Sequence, residues 1–293
     1  VFDVRVRRVR PHRDDKILTD WNGLFIAGLA KASRTLGNNE YLNAAEQAMG
    51  FLLTKMMSAD GRLFHRFRDG EVLVPGFLDD YAFLVWGLIE LYETTFDIDH
   101  LKVALTLNGI LDRDFWDTER GGYFFSPRDG EAMITRVKEV YDGAVPSGNS
   151  VAMLNLVRLG RMTATPELED QAEKIGRVFY DDVTRSPSTF TLLMTAFDFG
   201  AGPSRELIIV GDPGSADTGA MLRAVHTTYS PTVVLLFKPS DEKDPEISRI
   251  AEFTSSHETP DGKATAYVCS NYACKLPTTD IDAMLGLLNE SPE

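Results

Sequence analysis

Along this chain, segments of helical pattern that are apolar on nearly every face alternate with segments that are apolar on one side only. Trp21–Leu36, Tyr81–Tyr92 and Ser150–Leu159 are of the first kind, and between Tyr81 and Tyr92 the one charged residue is Glu90. A helix apolar all round must be surrounded by protein. Segments 39–57, 98–113 and 166–181 are of the second kind. In the first of these, Leu42, Ala45, Met49, Leu52, Leu53 and Met56 form a stripe, while Glu40, Asn43, Glu46 and Lys55 lie elsewhere. That spacing is helical with one face toward water. The alternation returns every 60 residues or so, as the tetrapeptide Arg-Asp-Gly-Glu does at 68–71 and 128–131. Stacked helix pairs of a solenoid repeat at about 33–47 residues, which is too short. The expected fold is therefore mainly α: inner and outer helices of a partial α/α toroid.

Each Arg-Asp-Gly-Glu follows an aromatic stretch, Phe64-His65-Arg66-Phe67 or Tyr123-Phe124-Phe125, and precedes an apolar one. Asp-Gly between strand-forming residues is a hairpin tip, so short β-hairpins are expected in the loops. From Ser204 the texture changes. Glu206–Asp212 and Thr232–Phe237 read as strands around a helix near 215–229, a β-α-β unit. Ala266–Cys269 adds a strand, and Thr279-Asp280 caps a last helix to Leu288. The expected organisation is a toroid portion over 1–203 and a small C-terminal α/β appendage over 204–293. The loop Gly211–Ser215 lacks Rossmann and P-loop spacing, so no nucleotide site is expected there.

The composition excludes some classes. A formal charge of −14 and a pI near 4.8 argue against nucleic-acid partners and anionic membranes. Arg5, Arg7, Arg8, Arg10 and Arg13 read as a solvated or chain-packed arm. No run of 18 apolar residues and no signal-peptide pattern occurs, and two cysteines make no disulfide scaffold, so a cytoplasmic location is expected. Cys269 and Cys274 are free to pair with each other, but C-x4-C without partner histidines is poor zinc spacing, and neither metal nor cofactor is expected. Val1 is not a natural start, so a fragment of a longer protein is expected.

The chemistry gathers in three loops that enter the inner helices: Leu18–Gly23, Phe77–Phe83 and Tyr141–Ser150. Parallel inner helices would bring their N-termini to one mouth, and with them Asp20, Asp79, Asp80, Asp142 and Asn149. Capping accounts for one acid, serine or threonine per helix, including Asp20 or Thr19 and Ser147, and contributes about 1 kcal/mol each. Asp79 and Asp80 are two acids at one helix. The second needs another role, or a partner such as Arg66 or Arg68. Paired carboxylates in a partly dry cavity separate into an acid and a base, as glycoside hydrolysis requires. Asp80 is the expected general acid with Asp20 or Asp142 as its partner. Trp21, Asn22, Asp79, Tyr81, Tyr123, Ser147 and Asn149 are the expected positioning residues, Trp86 being core. His65 is a candidate general acid–base, or a ring packed between Phe64 and Phe67. Without a Gly-x-Ser-x-Gly elbow, a serine hydrolase is not expected.

The stretches Asp14–Leu24, Leu78–Phe83, Gly121–Phe125, Asp142–Val151 and Cys269-x4-Cys274-Lys-Leu-Pro277 resemble the thioredoxin-domain-containing proteins related to spermatogenesis-associated protein 20. The resemblance runs through nearly the whole chain. It implies a six-hairpin, glycosidase-like (α/α)6 toroid, akin to N-acylglucosamine 2-epimerase, beside an N-terminal thioredoxin-like domain. This sequence holds no such domain and no C-x-x-C motif, and only three to four hairpins. An odd number of hairpins would expose apolar faces, so a homodimer is one expectation. The expected function is a carbohydrate-directed toroid with a sugar ligand, hydrolase- or epimerase-like. The alternative is a non-catalytic scaffold for the redox domain.

Overall fold

The computed structural model describes residues 1–130 and 135–290. A short exposed helix α1 (Phe2–Val6) carries the start of the basic arm. Then come three helix pairs: α2 (Thr19–Leu36) with α3 (Asn39–Lys55), α4 (Leu78–Thr95) with α5 (Ile98–Asp114), and α6 (Gly148–Thr163) with α7 (Pro166–Val178). The short α8 (Tyr180–Arg185) leads to α9 (Thr191–Ala201), which packs on α6. α4 lies between α2 and α6, and each of these three carries its partner, α3, α5 or α7, on its back. The inner-and-outer arrangement of a partial α/α toroid follows. No helix among the described residues is long and apolar enough to cross a membrane.

The burial pattern is what the sequence requires. Every residue of α6 from Gly148 to Met162 is buried, whereas α7 buries Ala172, Ile175 and Gly176 alone. α2 and α4 approach so closely that a β-carbon on Gly23 would lie 2.6 Å from the Phe83 carbonyl carbon. Any side chain there would drive the two inner helices apart, at a cost of roughly 1–3 kcal/mol.

The first hairpin forms as expected. β2 (Phe64–Arg68) pairs antiparallel with β3 (Glu71–Pro75), and Arg68 stands opposite Glu71. Asp69 and Gly70 at the tip both have positive φ, the left-handed turn that follows strand twist. A short β1 (Ile17–Leu18) pairs with β2 and ties the α2 entrance to this sheet. The second copy differs. Arg128 and Asp129 form a turn and Glu131 lies outside the described residues, but no ladder flanks the turn among the described residues. A lone bridge joins Trp116 to Tyr123, and Phe125 N–H donates to Val137 O at 2.8 Å. Gly121 and Gly122 at positive φ, and Pro127 with no N–H to give, interrupt a ladder here.

Beyond α9, β4 (Arg205–Gly211), α10 (Ala216–Thr227) and β5 (Val233–Pro239) form the β-α-β unit, with β4 and β5 parallel. β6 (Thr265–Ser270) and β7 (Ala273–Cys274) complete a four-stranded sheet in the order β5-β4-β6-β7. A single turn, α11 (Ile247–Ile250), precedes β6. Asp280 caps α12 (Ile281–Asn289) by accepting from Ala283 N–H at 2.7 Å. The two faces of β4 alternate with a period of two. Ile208 and Val210 join the core of the toroid helices, while Leu207 and Ile209 pack with Met221 and Met284.

Candidate functional site

Asp79 and Asp80 stand in the first turn of α4 and turn to opposite neighbours. Asp80 is fully buried. Its Oδ1 accepts from the backbone N–H of Asp20 in α2 at 3.0 Å, and its Oδ2 accepts from Phe77 N–H at 2.8 Å. It therefore caps its own helix and the preceding inner helix together. Asp79 turns toward the backbone N–H of Gly148, the first residue of α6. The second acid thus has its own task. The pair serves one neighbouring inner helix each.

Asp142 continues the pattern. Its Oδ1 accepts from Ser147 N–H at 2.9 Å, and its Oδ2 accepts from Leu192 and Leu193 N–H of α9 at 2.8 and 3.0 Å. Its oxygens are committed to caps, away from the Asp20–Asp80 pair. Thr19 caps nothing: its hydroxyl donates to Phe64 O at 2.6 Å, pinning α2 to the hairpin.

The partner that Asp80 finds is His65. Nδ1 of His65 lies 3.0 and 3.1 Å from the two carboxylate oxygens. Arg66 and Arg68 cannot take that place, because alternate strand residues point to opposite faces. Arg68 instead pairs with Asp15 at 2.9 Å. The His65 ring rests against Phe77 and its side chain is 25% exposed, so one edge is accessible. Among the described residues its Nε2 makes no hydrogen bond.

Electrostatics follow from burial. Asp80 is held above the usual carboxylate range by burial, opposed by His65 and the two N–H donors. Burial and the Asp80 charge raise Asp20 as well. Asp79 is pushed up to about 7 by burial and by the charges of Asp80, Asp20 and Glu139. His65 is raised by its hydrogen bond to Asp80. The mouth therefore holds a carboxyl, Asp79, that titrates near 7 beside an imidazole whose proton is held more tightly than usual by Asp80. Donor atoms of Asp20, His65 and Asp80 lie within 4.8 Å of one another. Since both Asp80 oxygens already accept backbone hydrogen bonds, a cation there would compete with the caps.

The other expected residues are placed as follows. Trp21 is 61% exposed beside Asp20. Asn22 donates to Leu18 O at 2.7 Å. Tyr81 is buried, and its hydroxyl accepts from Leu63 N–H at 2.9 Å. Tyr123 is buried and donates to Asp112 Oδ1 at 2.5 Å. Asn149 is sealed in: it accepts from Tyr123 N–H at 2.8 Å and donates to Tyr123 O and Glu139 O at 2.9 and 2.8 Å. Ser147 caps α6 by accepting from Ser150 N–H at 3.1 Å. The structure gathers Asp20, Trp21, His65, Asp79 and Asp80, while Tyr81, Tyr123, Ser147 and Asn149 hold loops.

One constellation escaped the sequence reading. Glu90 bonds Arg34 at 2.5 Å and Arg158 at 2.7 Å, and accepts from Trp86 Nε1 at 3.1 Å. Glu93 pairs with Arg158 at 2.9 Å. The network joins α2, α4 and α6 and lines a cavity of about 420 Å³ that α10 and β5 border. Asp20, His65, Asp79 and Asp80 do not line this cavity. The available signal was Glu90 itself, the one charge between Tyr81 and Tyr92, together with Arg158 within the apolar run Ser150–Leu159.

No protein-family model matches the chain. Spermatogenesis-associated protein 20 of Homo sapiens is 36% identical over 290 residues, which cover 96% of this chain and 37% of that protein. The Rattus norvegicus protein of the same name is 35% identical over 300 residues, covering 99% and 38%. The chain thus spans little more than a third of the length of these relatives. Among solved structures, cellobiose 2-epimerase of Bacillus thermoamylovorans superposes with a TM-score of 0.49 at 18% identity, over 59% of this chain and 47% of that one. A GH76 α-mannanase of Bacteroides thetaiotaomicron gives 0.46 at 17% identity, over 64% and 59%.

Proposed function

We propose that the inner-helix mouth is an acid–base site that transfers protons on a carbohydrate, with His65 as the transferring group. The observation that carries this reading is the His65–Asp80 pair. A buried carboxylate fixes Nδ1 and orients the ring, leaving Nε2 to take or give a proton. Asp80 then acts as a positioning residue, its oxygens being occupied. Asp79, poised near neutrality, and Asp20 supply the second carboxyl function. Trp21 offers an exposed aromatic face on which a sugar ring can stack.

This assignment favours the epimerase- or isomerase-like branch over hydrolysis. Removing a proton from carbon beside a sugar carbonyl requires a positioned base, and the Nε2 of His65, with Nδ1 held by Asp80, is placed to serve as one. Glycoside hydrolysis would require two free carboxyl groups across the bond, and Asp80 and Asp142 are spent on caps. The capping itself supports a second reading, in which the acids only hold the helices and the toroid scaffolds a neighbouring redox domain.

Solvent exchange distinguishes the readings. The chain is incubated with a panel of aldoses, ketoses and reducing disaccharides in D2O. Deuterium is then followed by NMR at the carbon beside the carbonyl. Incorporation by the wild type and its loss in His65→Asn are expected. A folded wild type that exchanges nothing would leave the scaffold reading.

A further inference from the structure

A second group of ligating side chains lies on the appendage, away from the mouth. β6 turns into β7 through Asn271 and Tyr272, both at positive φ, so the hairpin is tight. Ser270 stands opposite Ala273, and Cys269 opposite Cys274, with a Cα–Cα separation of 3.8 Å and a disulfide between them. Cys269 is buried and Cys274 exposed.

The sequence places no histidine at zinc-like spacing, yet the fold brings one. His257 Nε2 lies 3.6 Å from Cys274 Sγ. His257 is held firmly: its N–H donates to Thr254 O at 3.1 Å and its carbonyl accepts from Lys238 Nζ at 2.7 Å. Tyr267 and Phe253 flank the ring edge-on. Donor atoms of His257, Cys269 and Cys274 all lie within 4.8 Å of one another.

We propose that, once the disulfide is reduced, His257, Cys269 and Cys274 form a site for Zn²⁺ or a similarly soft divalent cation, which oxidation closes. Two thiolates and an imidazole are the donor set that such cations select over oxygen ligands. Tetrahedral zinc with ordinary bond lengths holds its sulfur and nitrogen ligands about 3.6 Å apart, the separation already present between Cys274 and His257. Once the bond is broken the sulfurs need to move apart to about 3.8 Å, which rotation of the two cross-strand side chains to other staggered rotamers supplies. The fourth position is open to water, facing the exposed side of Cys274.

The reaction balances with a dithiol as reductant. It gives two electrons and two protons to the Cys269–Cys274 bond, leaving two thiols, and itself becomes a disulfide. Cation binding then displaces the two thiol protons. An oxidising disulfide runs the sequence backwards and releases the metal. In either state the hairpin stays cross-linked. Its tip keeps its grip on the toroid through Tyr272, whose hydroxyl donates to Gly160 O at 3.0 Å.

Cobalt titration tests the assignment. The chain is reduced with a phosphine, its two free thiols are counted, and Co²⁺ is added with and without reduction. One equivalent is expected to bind the reduced chain with a thiolate-to-cobalt charge-transfer band, which Zn²⁺ then bleaches. The oxidised chain is expected to give no such band. Cys274→Ser should abolish it, and His257→Gln should weaken cobalt binding by about tenfold or more. Asp80→Asn should leave it unchanged, which separates this site from the carboxylates of the mouth. Since Cys274 is exposed, its variant is expected to keep the wild-type circular dichroism. A reduced chain with two titrated thiols and no charge-transfer band overturns the proposal. So does a band indifferent to His257→Gln.

Discussion

Asp79 Oδ1 occupies the space that a β-carbon on Gly148 would need. The first residue of α6 is glycine because the carboxylate of the neighbouring inner helix comes to rest against its backbone. Gly148→Ala should displace Asp79 and Leu78 together and cost roughly 1–3 kcal/mol. Urea denaturation at neutral pH checks this, and an unchanged midpoint would refute the contact.

Stability should depend on Asp79 through pH. A carboxyl raised from 3.8 to about 7 in the folded chain binds a proton that the unfolded chain has already lost. Its contribution is complete below pH 3.8 and disappears as pH rises through 7. His65, also raised, contributes fully below its unfolded pKa of 6.5 and loses that contribution as pH rises through its folded value. Asp79 therefore weakens the fold from about pH 3.8 to 7, and His65 adds to the loss above pH 6.5. Asp79→Asn should melt progressively higher relative to wild type over that range, by about 1–2 kcal/mol after allowance for solvent screening. Parallel melting curves for the two proteins would rule this out.

The Glu90–Arg158 pair should be costly to break from one side. Both residues are almost fully buried, so Arg158→Met leaves Glu90 with Arg34 and Trp86 as its partners. A loss of about 3–5 kcal/mol is expected. The double change Glu90→Gln with Arg158→Met should recover much of that loss. A double-mutant cycle measures the coupling, and additive losses would count against the network.

His65 and Asp80 should separate in kind. His65→Asn removes the transferring group and is expected to abolish proton exchange while changing the melting temperature little, because the ring is partly exposed. Asp80→Asn removes a charge shared by two helix entrances and should lower stability by about 2–3 kcal/mol, each cap being worth about 1. Residual exchange in Asp80→Asn with a shifted pH profile would mark it as an orienting residue. Equal effects of both variants on melting alone would support the scaffold.

The sequence made the helices legible because burial on all faces and burial on one face leave different patterns in residues such as those of α6 and α7. The first hairpin was equally plain, since Asp69 and Gly70 state their turn type. The second was obscured: the same tetrapeptide follows two consecutive glycines and a proline that prevent a ladder. The candidate site was half legible. Asp79 and Asp80 announced themselves as a surplus of acid, but which residue met Asp80 depended on the facing of β2, and that favours His65 over Arg66 or Arg68. His257 lies 12 residues before Cys269, across a single turn at Pro260–Gly262 and the start of β6, so no local spacing could disclose it.

The carboxylates at the mouth do more than finish individual helices. Asp80 reaches back to α2, Asp79 reaches on to α6, and Asp142 reaches on to α9. Successive hairpins are thereby stitched by their acids as well as by their apolar backs, so one hairpin cannot detach without baring the helix start beside it. Unlike a stack of independent repeats, whose ends can fray singly, a partial toroid sewn in this way should come apart as a unit.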